Sequence, residues 1–321
     1  MQWPDQMPGA ENVHAAWRMG VAERAAGVHA GNRNLAALAV AGSVGAAIAD
    51  RFSDLELDCY WVRPPTDADR LAPVRALGGE LIALWDYDQD DQEWSEDYLV
   101  GELGITVSNF LVSSVEQFLD DVVVRADTDP VRHMRLAALQ RCRPLLGTEM
   151  MASWRARADT FPRTLVSALV QQALAPEVLT GWSARVALVS RGDDLAVRDL
   201  LTRTGLAAVR AILALNRVYL PHRQLKWQRH LTTGLRLVPG RLAERLESLS
   251  NGQPGEALQA AETLLAEIVT LAETHCDADI AAFREALSGR RQAIGPPRPG
   301  PSVRRGHLLL CAGTPRRTGG V

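Results

Sequence analysis

The sequence predicts an α+β protein: a small mixed-sheet domain over residues 1–126, then an all-helical bundle domain over residues 127–289. Three observations carry this. Residues 40–62 read as strand, tight turn, short helix and strand; from Ser114 onward the apolar residues recur at helical spacing; and residues 290–321, biased to Pro, Gly and Arg, have no core-forming pattern and read as a disordered tail.

In the first segment, residues 10–30, Val13, Trp17, Val21 and Val28 fall at helical spacing and Asn32 is a stop, so an amphipathic helix packing on the sheet is expected. His14 and His29 read as surface or flank residues. The next stretch organises the chain. An apolar run over residues 35–40 ends at Gly42 and Ser43, and Ser53 opens a second run with acids at alternate positions. A side-chain period of two places Asp54, Glu56 and Asp58 on one face and Leu55, Leu57 and Cys59 in the core. Like charges in a row repel, so such a strand either holds a cation or is an exposed edge protected by charge. Mg²⁺ suits the first reading, because it takes hard oxygen ligands and shares its shell with substrate phosphates. Gly42 lets the backbone approach closely, and Ser43 with the amides of the following turn can cradle a phosphate.

Residues 64–79 open on Pro-Pro-Thr-Asp and close on Gly-Gly, a crossover helix between neighbouring strands. Residues 81–84 predict a short strand, and the acid-rich residues 85–97 a solvated loop, or a rim that selects a cationic substrate. Residues 98–112 predict the third strand of the site sheet, with Ile105, Val107 and Phe110 facing one way and Thr106 and Ser108 the other. Asp-Thr-Asp-Pro near residues 126–130 breaks the pattern. Helices are then expected at 131–146, 149–157, 162–174, 178–189, 193–219, 223–237, 239–249 and 255–274.

Gly42 and Ser43, followed by Ser53-Asp54-Leu55-Glu56-Leu57, resemble the Gly-Ser turn and Asp-x-Asp/Glu strand of the DNA polymerase beta-like nucleotidyltransferase superfamily. Within it the chain resembles the kanamycin and lincosamide nucleotidyltransferase-like branch, and most closely a group of bacterial nucleotidyltransferase-like domains of unknown function. Trp154-Arg155-Ala156-Arg157-Ala158 with Phe161-Pro162 resembles a helix of that group, as does Ala214-Leu215-Asn216-Arg217-Val218-Tyr219-Leu220-Pro221 followed by Lys226-Trp227. The resemblance spans residues 10–285. It implies that Lys226 meets nucleotide phosphates; packing and turn capping are the plainer roles for Asn216, Tyr219 and Trp227, and ion pairing or phosphate contact for Arg155 and Arg157. Two departures stand out. The family's third metal-binding carboxylate falls on Thr106, with Glu102 the nearest acid of the same parity, and Ala46 and Ala47 occupy a turn where relatives often carry a basic residue followed by glycine.

Composition bounds the partners. The net charge of −3 hides an asymmetry: residues 290–321 carry seven arginines and no acid, so the other residues hold 28 basic against 38 acidic groups, a net of −10. An acidic body argues against nucleic acid. No apolar segment approaches the ~20 residues of a membrane span, and the start lacks the features of a secretory signal, so the expectation is a cytoplasmic protein with no membrane partner. The four cysteines have no metal-ligand or disulfide spacing. Lys226 is the single lysine, 34 of the 35 basic residues being arginine, a coding accident or a place that needs a compact ammonium.

The resemblance implies transfer of a nucleoside monophosphate, most often AMP from ATP, to a hydroxyl of a small molecule. Asp54 and Glu56 would hold Mg²⁺, Gly42 and Ser43 would seat the triphosphate, and Lys226 would offset charge on the leaving pyrophosphate. Asp58, Glu102 and Thr106 are additional candidates. The alternative is a nucleotide-binding sensor or scaffold without transfer chemistry, which Thr106 favours. Oligomeric state and acceptor leave no mark in the sequence.

Overall fold

Strands β1 (Leu35–Val40), β2 (Leu55–Trp61), β3 (Glu80–Asp88), β4 (Glu93–Val100), β5 (Leu103–Leu111) and β6 (Arg143–Leu146) form one six-stranded mixed sheet in the order β3-β4-β5-β2-β1-β6. The central pair, β2 and β5, is parallel, and the other pairings are antiparallel. The computed structural model describes residues 12–295; from residue 296 the expected tail lies outside the described residues. The helices are α1 (Val13–His29), α2 (Gly42–Gly45), α3 (Asp67–Ala76), α4 (Val112–Leu119), α5 (Pro130–Arg141), α6 (Thr148–Ala158), α7 (Arg163–Ala173), α8 (Arg185–Arg191), α9 (Asp194–Leu215), α10 (Gln228–Thr232), α11 (Leu242–Asn251), α12 (Pro254–His275) and α13 (Ala281–Ser288). The fold is α+β, and none of these helices is long and apolar enough to cross a membrane.

One face of the sheet, with Leu38, Val40, Leu55, Leu57, Ile105 and Val107, is covered by α1 and contributes to a core that Val74 of α3 joins. The α1 contact corrects the sequence reading. Val13 (68% exposed) and Trp17 (49%) face outward, while Val21, as expected, packs inward together with Ala15, Ala22, Ala25 and Ala26. The alanines bring the helix backbone close to the strands, which a Val/Trp stripe would hold off. His29 is buried on that face, edge-on to Trp61 at 5.6 Å, rather than at the surface. Arg18, also buried, reaches the carbonyls of His14 at 2.7 Å and Ser53 at 2.5 Å, tying α1 to the segment before β2.

Among the described residues the opposite face meets the helices through Ala37, Ala39, Tyr60 and Phe110. Phe110, expected beside Ile105 and Val107, has the parity of Thr106 and so lies on this face, where it and Tyr60 join Val115, Phe118, Leu136, Trp154 and the interiors of α7, α9 and α12 in one continuous core. Sheet and helices therefore share packing across residue 126, and β6, beyond that position, pairs with β1. The segment expected to continue a helix through residue 146 becomes strand because Pro144 cannot extend α5.

Three further expectations are corrected. The crossover helix α3, opened by a Thr66/Asp69 capping box, leads to the sheet edge and not to a neighbouring strand. Residues 85–97, expected as a loop, instead run through β3 and β4; Asp88 closes their turn by accepting the amides of Asp90 and Asp91. Residues 178–189 begin as short helical turns broken at Gly181, and most of 223–237 is irregular apart from α10.

Candidate functional site

Gly42 is the hinge between β1 and the single turn of α2. Its φ of +57° lies in the left-handed region, and a Cβ there would sit 2.5 Å from Cδ and from Oε1 of Glu56. The backbone requires glycine, and the Glu56 carboxylate, the tip of an exposed flexible side chain, rests where a Cβ would go. The amide of Ala41 donates to the Glu56 carbonyl at 2.9 Å, locking this turn to β2. As the first-turn groups of α2, the amides of Gly42, Ser43 and Val44 have no intrahelical acceptor. Ser43 is half-buried beside Gly42.

Register then builds the rows of the site. Glu56 lies opposite Thr106 and Asp58 opposite Ser108 in the parallel β2–β5 pair, and on β4 Asp97 lies opposite Thr106, Ser95 opposite Ser108 and Glu93 opposite Phe110. The alternation expected for Thr106, away from Ile105 and Val107, is what the strands show. Across the open end of this face the side chains thus read Glu56, Thr106, Asp97, and the Thr106 hydroxyl donates to the Asp97 carboxylate at 2.7 Å. The position where the resemblance expects an acid is occupied by a hydroxyl bound to an acid of the next strand. Glu102 lies in the turn between β4 and β5, exposed, four residues and therefore ~13 Å along the strand from Thr106. It is not brought to the row.

Asp54 precedes β2, exposed, and its charge acts on both Glu56 and Arg18. Glu56 is open to solvent, yet lost solvation is the largest influence raising its pKa, followed by Asp54; Lys226 and Arg135 pull it back down. The space in front of this carboxyl, which solvent reaches and the surrounding protein partly dehydrates, is the candidate cleft. Asp58 is buried behind it, accepting the Tyr60 hydroxyl at 3.2 Å, and burial pushes its pKa up to about 7 against the pull of Arg135. It is shielded from a substrate that would touch Glu56.

Lys226 is exposed, and its ammonium is near enough to act on Glu56 and His222. It stands between two bulky residues in the left-handed region, Leu225 (φ 52°) and Trp227 (φ 61°). Such backbone persists only where the surroundings fix it, and buried Leu225 is one anchor. Asn216, at the end of α9, holds a later part of the same loop, donating to the carbonyl of Leu237 at 2.9 Å and accepting the amides of Arg236 and Leu237. Tyr219 donates to the Ala158 carbonyl at 2.9 Å. Arg157 pairs with Glu116 and Asp120, and Arg155 binds the Cys142 carbonyl at 2.9 Å, so both serve packing.

Arg135 of α5 was not legible in the sequence. It stacks on Phe110 at 4.7 Å and its terminal nitrogen pairs with Glu93 Oε2 at 3.0 Å, while its buried Nε finds no hydrogen-bond partner. Its charge acts on Glu56, Asp58 and Glu93 together. Asp97 was missed too, because its segment read as loop; alternation of Trp94, Glu96 and Tyr98 against Ser95 and Asp97 was the available signal.

Among solved structures the chain is similar to a nucleotidyltransferase-like protein from Exiguobacterium sibiricum 255-15, at 13% identity, covering 85% of this chain and 78% of that one, with a TM-score of 0.36. No family model matches the chain, and no curated protein matches it.

Among the described residues no group of three or more His, Cys, Asp or Glu side chains is placed to hold a metal. The donor set at the cleft is two carboxylates, Asp54 and Glu56, flanked by two cations, Lys226 and Arg135. That set fits a Mg²⁺ ion bound by one or two carboxylates with phosphate oxygens completing its shell; it does not supply a ready-made cage for a free ion.

Proposed function

We propose that the protein transfers a nucleoside monophosphate, AMP from ATP in the first instance, to a hydroxyl of a small molecule, with Mg²⁺ accompanying the triphosphate. The observation that carries this reading is the packing of the Glu56 carboxylate against Gly42 with the Lys226 charge acting on the same carboxylate. A carboxylate, a glycine turn with free amides and a lone ammonium around one cleft are complementary to a metal-bound triphosphate.

In this reading Asp54 and Glu56 would hold the ion, which when bound supplies charge neutralisation at the phosphates. The α2 amides and Ser43 orient the phosphate chain, and Lys226 offsets the charge that grows on the departing pyrophosphate. The acceptor oxygen bonds to the α-phosphorus as the bond from that phosphorus to the pyrophosphate oxygen breaks. The acceptor proton passes to a carboxylate, and Asp97, held by Thr106 on the open row, is the group this chain offers. Arg135 keeps Glu93 and the buried Asp58 in place beneath. Pyrophosphate release from ATP and Mg²⁺ with a panel of hydroxylated compounds tests the proposal. Release that depends on an acceptor and falls at least a hundredfold in Glu56→Gln supports it. A second reading, a nucleotide-binding sensor, draws on the lack of a three-ligand group among the described residues. It predicts ATP binding with no release for any acceptor.

A further inference from the structure

We propose that a second site, in the helical half, binds a small organic anion: a carboxylate or phosphate group on a short apolar body. A cavity of about 220 Å³ lies where the start of α7 meets the ends of α9 and α12. At ~30 Å³ per water it holds roughly seven waters. Arg163, Arg217 and His275 supply its charged or titratable lining, and Val166, Leu215 and Leu237 the apolar part. None of the residues lining it is acidic, in a body whose net charge outside residues 290–321 is −10. It shares no residue with the Glu56 cleft, so the inference stands apart from the proposed transfer activity.

Arg217 is the telling residue. The end of α9 is closed by a Schellman motif, with the Arg217 amide on the Ala214 carbonyl and the Val218 amide on the Leu213 carbonyl, both at 2.9 Å. Arg217 occupies the left-handed position of that motif, φ 58°, where glycine is the ordinary residue and asparagine the usual substitute. A capping role therefore does not explain arginine there. Nor does ion pairing: among the described residues neither Arg163 nor Arg217, both exposed at the mouth of the cavity, has a carboxylate within salt-bridge distance or a side-chain hydrogen bond, whereas Arg203 of α9 pairs with Asp199 at 2.9 Å. The two free guanidinium groups line one cavity with the start of α7, whose Pro162 cap provides no side-chain acceptor for the first amides. Guanidinium forks matched to a planar or tetrahedral oxyanion, over an apolar floor, select an amphipathic acid.

The test uses the full chain with hexanoate, hexyl phosphate, hexanol and inorganic phosphate as probes, followed by calorimetry and thermal melting. Hexanoate or hexyl phosphate is expected to bind at about 1 mM or tighter, and whichever is tighter identifies the head group. Hexanol should not bind, and inorganic phosphate should bind more weakly than hexyl phosphate. Arg217→Gly should melt no lower than wild type, since glycine suits the position, and should bind at least tenfold more weakly. Arg163→Ala should weaken binding likewise, and Glu56→Gln should leave it unchanged. Absence of binding by both acids would overturn the assignment, as would wild-type affinity in both arginine variants. Equal affinity for inorganic and hexyl phosphate would remove the apolar body from it, and loss of binding in Glu56→Gln would place the probe in the cleft instead.

Discussion

Replacing Gly42 by alanine should disable the cleft while leaving the fold standing. The new methyl would lie 2.5 Å from Glu56 Cδ and Oε1, against an ordinary contact of at least 3.4 Å, so the carboxylate must retreat. A retreat of about 1 Å is enough to reduce turnover ~100-fold in a positioned site. Stability falls for two separable reasons. The left-handed backbone costs about 1–2 kcal/mol with any Cβ, and the collision adds to that. At about 2 °C per kcal/mol for a chain of this size, the melting temperature should drop by roughly 4 °C. A double-mutant cycle with Glu56→Ala isolates the collision, because removing the carboxylate leaves only the backbone penalty. Denaturant titration of the four proteins should give a favourable coupling of about 1 kcal/mol or more. Additivity within ~0.5 kcal/mol would mean that Gly42 and Glu56 do not press on each other, and the cradle would be refuted.

Three other outcomes follow. Asp58→Asn should flatten the pH dependence of stability: with its pKa raised from 3.8 to about 7, Asp58 holds a proton in the folded protein that the unfolded chain releases. Stability therefore falls as pH rises from ~4 to ~7, and the variant should be more stable by roughly 2–4 kcal/mol at pH 8. Glu96, pushed by burial to about 7 while paired to Arg70, leaves a residual slope in the same window; an unchanged urea profile between pH 5 and 8 would contradict the burial. Ala47→Gly, at a φ of +57°, should raise the melting temperature by about 1–2 °C, and a decrease would show that Ala47 is not strained. Asp97→Asn should lower pyrophosphate release more than nucleotide affinity, whereas Glu102→Gln should change neither; the reverse ranking would return Glu102 to the row.

What the sequence made legible is the local chemistry of period and turn. The β2 alternation placed Leu55 and Leu57 inside and Glu56 out, and the parity of β5 put Thr106 beside Glu56. The departure at Ala46 and Ala47 also has a physical basis, since Ala47 occupies a backbone region that glycine enters without strain. What was not legible depends on pairing between distant segments. Asp97 enters the row only through the antiparallel β4–β5 register, and Arg135 only through the packing of α5 over Phe110. The α1 face was misread because valine and tryptophan outweigh alanine on any hydrophobicity count, while close packing on a sheet rewards the smaller side chain. The lone lysine pointed to Lys226, but the pair of left-handed residues that present it arises from tertiary structure.

The most direct test is calorimetric titration of ATP in the presence of Mg²⁺ into wild type, Glu56→Gln and Lys226→Met. The account predicts saturable binding by the wild-type protein, dependence on Mg²⁺, and at least a tenfold loss, about 1.4 kcal/mol, in each variant. Affinity unchanged in both variants, or indifferent to Mg²⁺, would contradict the assignment of the Gly42–Glu56–Lys226 cleft as a nucleotide site.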